Sequence, residues 1–177
     1  LTMKLFALFT LIIANTVLTF GQSTTSDITS TKGTVFWFGF MESRNYDSSH
    51  HYLEVTVTSR VDTYFEVFIG PDKFRYGVGK YKVFANQSRS IRIDPWNLVE
   101  AIGSEQIQNR GIYLIAENPV NVYALNWAGN SVDVAVIYPE ESLGYEYYAM
   151  CYEPHIHERY NGDYGNGRNS EFLIVAT

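Results

Sequence analysis

From Gly33 onward the chain is a succession of short β-prone runs closed by turn residues, and no stretch shows the 3.6-residue apolar period of an amphipathic helix. Residues 34–41 are continuously hydrophobic, as in a strand covered on both faces. Leu53, Val55 and Val57 alternate with Glu54, Thr56 and Thr58, which places one apolar side inward. Arg60-Val61-Asp62 is a tight connection, and 64–69 is a strand stopped by Gly70-Pro71-Asp72. Further strands are expected at 81–85, at 90–93 before Pro95, at 111–116, at 120–127 after an Asn118-Pro119 turn, and at 131–138 before Pro139. In the last of these Val132, Val134 and Val136 share one face. Residues 96–108 fit neither period, and a short helical turn or a crossing connection is expected there. Strands at a spacing of roughly 8–12 residues predict an all-β chain built as an antiparallel β-sandwich.

The first 21 residues read as a signal peptide. Lys4 supplies a minimal positive start, 5–20 is an apolar run, and Thr19-Phe20-Gly21 offers small residues for cleavage before Gln22. The alternative, an uncleaved anchor, is disfavoured by the shortness of the run. Residues 22–32 are rich in Ser and Thr and are expected to be a flexible leader. Loss of Lys4 with the signal takes the net charge from −6 to −7. No block of like charge interrupts the sequence, so the acidic balance describes a solvated surface and argues against a nucleic-acid partner. Cys151 is the only cysteine, so no internal disulfide forms and the fold rests on its core and its ladders.

An internal echo organises the chain. Gly33 begins Gly-Thr-Val-Phe-Trp, followed by a polar loop and the 52–58 strand; Gly144 begins Gly-Tyr-Glu-Tyr-Tyr, followed by a polar loop and 172–177. The offset is close to the ~100 residues of one sandwich domain. The expected domains are therefore a first sandwich over 33–143 and the opening, incomplete strands of a second over 144–177.

The strings Gly33-Thr34-Val35-Phe36-Trp37-Phe38-Gly39-Phe40-Met41-Glu42, Val55-Thr56-Val57-Thr58-Ser59, Arg110-Gly111-Ile112, Asn118-Pro119-Val120-Asn121-Val122-Tyr123-Ala124-Leu125-Asn126, Tyr138-Pro139, Leu143-Gly144-Tyr145-Glu146-Tyr147-Tyr148 and Glu171-Phe172-Leu173-Ile174-Val175-Ala176-Thr177 carry a resemblance. In this order and spacing they resemble the IgGFc-binding protein N-terminal domain family. The resemblance covers nearly all of the mature chain. It implies a module near the N-terminus of a large exported protein, as in surface proteins of gliding bacteria or secreted mucus and matrix proteins of animals. It also implies a domain longer than this chain. The family has no agreed catalytic or binding motif, so no functional residue is carried over, and neither is the immunoglobulin ligand behind its name.

Residue patterns with chemical meaning are few. Cys151, His155 and His157 present zinc-type ligands, with 155 and 157 on one face of an extended segment, but four ligands are not assembled within the motif. The competing reading is a polar loop leaving a strand. The stretch from Asn161 through Asp163 to Asn169 alternates oxygen ligands with glycines like an irregular Ca²⁺ loop, yet departs from the EF-hand pattern, and a long turn explains it equally. No metal or other cofactor is expected. There is no Gly-x-Ser-x-Gly elbow and no phosphate-cradling loop. Trp37, Trp96 and Trp127 are candidates for a sugar-stacking surface. Trp37 and Trp127 lie in strands and are expected in the core, which leaves Trp96 as the candidate ligand-binding residue. The expected function is a non-catalytic extracellular adhesion or interaction module for a protein or glycan, not integral to the membrane after signal cleavage. The alternative is a carbohydrate-binding module of a secreted enzyme.

Overall fold

The computed structural model describes residues 30–42, 51–70, 74–75, 80–94, 97, 99–103, 105–129, 131–149 and 172–176. Its strands are β1 (Lys32–Phe38), β2 (Phe40–Met41), β3 (His51–Ser59), β4 (Thr63–Ile69), β5 (Phe74–Arg75), β6 (Tyr81–Val83), β7 (Gln87–Ile93), β8 (Glu100–Ala101), β9 (Ile112–Ala128) and β10 (Ser131–Ile137). A 3-10 turn, Glu140–Ser142, follows Pro139. No α-helix occurs among the described residues. The fold class is the expected one: all-β, with an antiparallel main sheet that curls, sandwich-like and nearly closed, around one core.

The 17-residue β9 organises the sheet. Along one of its edges β3 and β4 follow each other, Thr58 pairing with Asn121 and Phe65 with Ala116. Along the other edge β1 covers 112–121 and β10 covers 122–128. β7 and β6 extend the sheet beyond β3 and β4 in unbroken register, from Ser59 opposite Gln87 to Thr63 opposite Val83. The ladders therefore break at one level, through 60–62, 84–86 and 117–119. There Ser59 O accepts from Asn86 N at 2.8 Å and Asp62 Oδ1 accepts from Ala85 N at 2.9 Å. Asn86 turns the chain with φ +58°, a left-handed conformation that Asn tolerates better than most residues.

This break corrects the expected turn at Asn118-Pro119. The chain runs straight through it as one strand. β4 pairing stops at Ala116, β3 pairing starts at Asn121, and β1 shifts register between Gly33 and Val35. Pro119, which has no N–H, thus sits where no ladder bond is asked of it. Asn118 N instead donates to Thr63 Oγ1 at 3.0 Å.

The buried alternation supplies the core. His51, Leu53, Val55, Val57 and Ser59 of β3 point inward, and Leu53, Val55 and Val57 join Phe36, Phe65, Val67, Leu114 and Val122 in one cluster. Each such apolar side chain contributes roughly 1.5–3 kcal/mol by leaving water. Gly33 is buried against Pro139, and a Cβ on Gly33 would overlap the Pro139 ring.

One further expectation changes. The run 34–41 divides at Gly39, after which β2 leaves the main sheet and pairs in parallel with β8. A Cβ on Gly39 would stand 2.7 Å from Leu173 Cδ2, so the glycine admits that leucine. The irregular stretch after Pro95 shows 3-10 geometry at Asn97 and then contains β8. Residues 144–149 and 172–176, expected as opening strands of a second sandwich, lie in no ladder among the described residues. Tyr145, Tyr147 and Tyr148 are exposed.

Candidate functional site

Because the odd-numbered positions of β3 turn inward, Tyr52, Glu54, Thr56 and Thr58 face out. The ladders align them in rows across the sheet. Tyr52 lies beside Trp127, which lies beside Val132; Glu54 is followed by Leu125 and Val134; Thr56 is followed by Tyr123 and Val136. Val132, Val134 and Val136 are 48%, 61% and 44% exposed and Trp127 is 37% exposed, so the outer face carries an apolar field open to solvent. Tyr52 stacks on Trp127 with centroids 5.8 Å apart and planes 9° from parallel. The Arg92 guanidinium lies 4.3 Å from the Tyr52 centroid. β7 and β9 flank β3 on opposite sides, so Tyr52 is held between a cation and an indole.

A second aromatic row stands on the outer face of the other half. Trp37, Tyr113 and Phe68 are register neighbours, with centroids 4.4 Å apart for Trp37 and Tyr113 and 5.8 Å for Phe68 and Tyr113. Trp37 Nε1 donates to Glu140 Oε2 at 2.9 Å. Neither Trp37 nor Trp127 is in the core, which overturns the expectation for both. Continuous hydrophobicity over 34–41 resembles a strand buried on both faces, but here the outward aromatics cover one another across strands instead.

At the level where the ladders break, the outer face opens into a cleft of about 440 Å³. Its floor is one row across four strands: Ser88, Thr58, Asn121 and Lys32. Its rim holds Arg60, Asn86 and Pro119 from the three interrupted connections. Asn121 is fixed at both ends: its Oδ1 accepts from Thr31 Oγ1 at 3.1 Å, and its Nδ2 donates to Thr58 Oγ1 at 3.5 Å.

Inside the fold, His51 and Glu100 form a buried pair. His51 Nε2 lies 3.4 Å from Glu100 Oε1, with side-chain exposures of 1% and 2%. The same nitrogen is 3.2 Å from Asn126 Oδ1, and Asn126 Nδ2 donates to Met41 O at 3.2 Å. Arg110 Nη1 donates to the carbonyls of Asn97 and Glu100. Together these bonds pin the small β2–β8 sheet to the large one.

None of the site residues expected from sequence falls among the described residues: Trp96, Cys151, His155, His157, Asn161 and Asp163 all lie outside them. The signal expected over 1–21 lies outside them too. Among the described residues no group of three or more His, Cys, Asp or Glu is placed to hold a metal ion. His51, which no sequence motif singles out, begins β3 and is buried. Extending the Leu53, Val55, Val57 alternation back by one step would have found it. Glu100 had no such signal, because its stretch follows no period.

Fold and site together define an all-β scaffold with aromatic outer faces and a polar cleft. No family model matches the sequence, and no curated protein matches it. A solved structure from Thermotoga maritima, described as the crystal structure of Thermotoga maritima 1070, aligns with 62% of this chain and 96% of its own at 17% identity and a TM-score of 0.39. A likeness at that level carries no argument. No helix among the described residues is long and apolar enough to cross a membrane, which says nothing of strands.

Proposed function

We propose that this chain is a non-catalytic extracellular interaction module of a larger exported surface protein, docking an extended segment of a protein partner along β10. The observation behind it is the row Val132, Val134 and Val136, turned outward beside Trp127 on a strand that pairs, among the described residues, with β9 alone. Sheet edges are ordinarily guarded by charges, prolines or covering loops. β10 carries one charged residue, Asp133, and no proline. Strand addition would supply main-chain hydrogen bonds to that edge, and the outward valines would meet alternate partner side chains. The signal-like 1–21 segment and the family resemblance support export and an adhesive role. The carbohydrate-binding alternative is less favoured by this face, since Tyr52 is already engaged by Arg92 and Trp127.

The test is capture of the full chain on immobilised secreted mucin and matrix glycoproteins, each native and enzymatically deglycosylated. Saturable binding to the deglycosylated forms that is lost in Val134→Lys supports the proposal. Two results contradict it: no binding to any deglycosylated form, or equal binding to those forms by Val134→Lys.

A further inference from the structure

The cleft at the sheet's break has a charge character unlike the rest of the molecule. The chain carries 19 acidic and 13 basic residues, yet the residues lining this cleft include Lys32 and Arg60 and no carboxylate. Most other described bases are occupied, Arg89 excepted. Lys80 pairs with Glu117 and Lys82 with Asp62, Arg92 lies over Tyr52, and Arg110 is bonded to two carbonyls. Among the described residues neither Lys32 nor Arg60 has an ion-pair partner. Two cations left without counter-charge beside one concavity raise the local positive potential, and the cleft walls concentrate it.

The rest of the lining is neutral and rich in donors and acceptors. Thr58 and Ser88 contribute hydroxyls, and Asn86 and Asn121 contribute amides. These groups match the hydroxyls of a sugar ring better than an apolar ligand. Asn121 is pre-positioned by Thr31 and Thr58, so part of the site is ordered before any ligand arrives. The cleft volume falls within the ~300–1,000 Å³ of small-ligand sites.

We infer that this cleft binds an acidic saccharide, its anion (a uronate carboxylate or a sulfate ester) held by Lys32 and Arg60 and its ring hydroxyls by Thr58, Ser88, Asn86 and Asn121. Arg60 presents a planar fork suited to two-point contact with either anion. The site shares no residue with the β10 docking face, so the two stand or fall separately.

The test titrates the full chain by calorimetry with three probes of equal length: oligogalacturonate, a chondroitin sulfate oligosaccharide and the neutral cello-oligosaccharide. Either acidic probe should bind at least about tenfold more tightly than the neutral one, and the tighter of the two identifies the anion. Arg60→Gln and Lys32→Gln should each weaken that binding by about tenfold, and added salt should weaken it further. Both residues lie at the surface, and an unchanged melting temperature confirms that each variant is folded. Val134→Lys should bind the probe as the wild type does. The inference is overturned if neutral and acidic probes bind alike, if neither acidic probe binds at millimolar concentration, or if the folded Arg60→Gln chain keeps its affinity.

Discussion

Tyr52 and Trp127 stack across β3 and β9 on the outer face of the sheet, with Val132 of β10 next in the same row. The pair is half out of water, so its value to the fold is modest. An aromatic pair of this kind contributes about 0.5–1.5 kcal/mol beyond burial. Trp127→Ala is expected to cost no more than about 2 kcal/mol in urea denaturation, against about 3–5 kcal/mol for truncating a core aromatic such as Phe65→Ala. Equal losses would mean that Trp127 serves the core and not the surface.

The buried pair should behave very differently from an exposed one. Glu100→Ala leaves His51 without its carboxylate in a dry environment and is expected to lower stability by about 3–5 kcal/mol. Lys80→Ala breaks a pair whose side chains are 52% and 49% exposed and is expected to change stability by less than about 1 kcal/mol. Chemical denaturation of both variants checks the contrast.

Gly33→Ala forces a methyl into the Pro139 ring and is expected to cost about 1–3 kcal/mol. The double variant with Pro139→Ala should recover most of that loss, as a double-mutant cycle followed by thermal melting would show. Additive losses would place the strain elsewhere.

Asp62 ties the β3–β4 connection to the β6–β7 connection. The Ala85 N–H donated to its carboxylate, then the hydrogen bond from Lys82, hold its pKa below the usual carboxylate value. The folded state therefore favours the charged form. Its contribution is complete above the ordinary carboxylate pKa and is lost as pH falls through the lowered folded value. The group is fully exposed, so the effect is small. In Asp62→Asn the acid limb of the stability–pH curve should flatten while stability near neutrality changes little; an unaltered acid limb would contradict the link.

Much of the fold is legible in the sequence because a half-buried strand must alternate. Leu53, Val55 and Val57 announce β3, Val132, Val134 and Val136 announce β10, and Gly70 ends β4 as expected, with φ +74°. Period 2 says that residues share a face but not which face meets the core. The β10 valines point to solvent because β10 is an edge with no described element packed above it, and Trp37 and Trp127 point outward because Tyr113 and Tyr52 stand opposite them. Asn118-Pro119 resembles a turn, yet it becomes the middle of β9 because partners change on both edges there. That exchange is a property of the assembled sheet and leaves no local trace. The cleft is equally non-local: Lys32, Arg60, Asn86 and Asn121 come from four separate segments, joined only by register.

The central claim is that β10 and its outward valines are where a partner docks. Hydrogen–deuterium exchange on the full chain tests it most directly, with and without the mucin or matrix glycoprotein that captures it. The expected result is slowed exchange across 131–137, with β7 at the far edge unchanged. Protection confined to β7, to the cleft, or absent from β10 would contradict it.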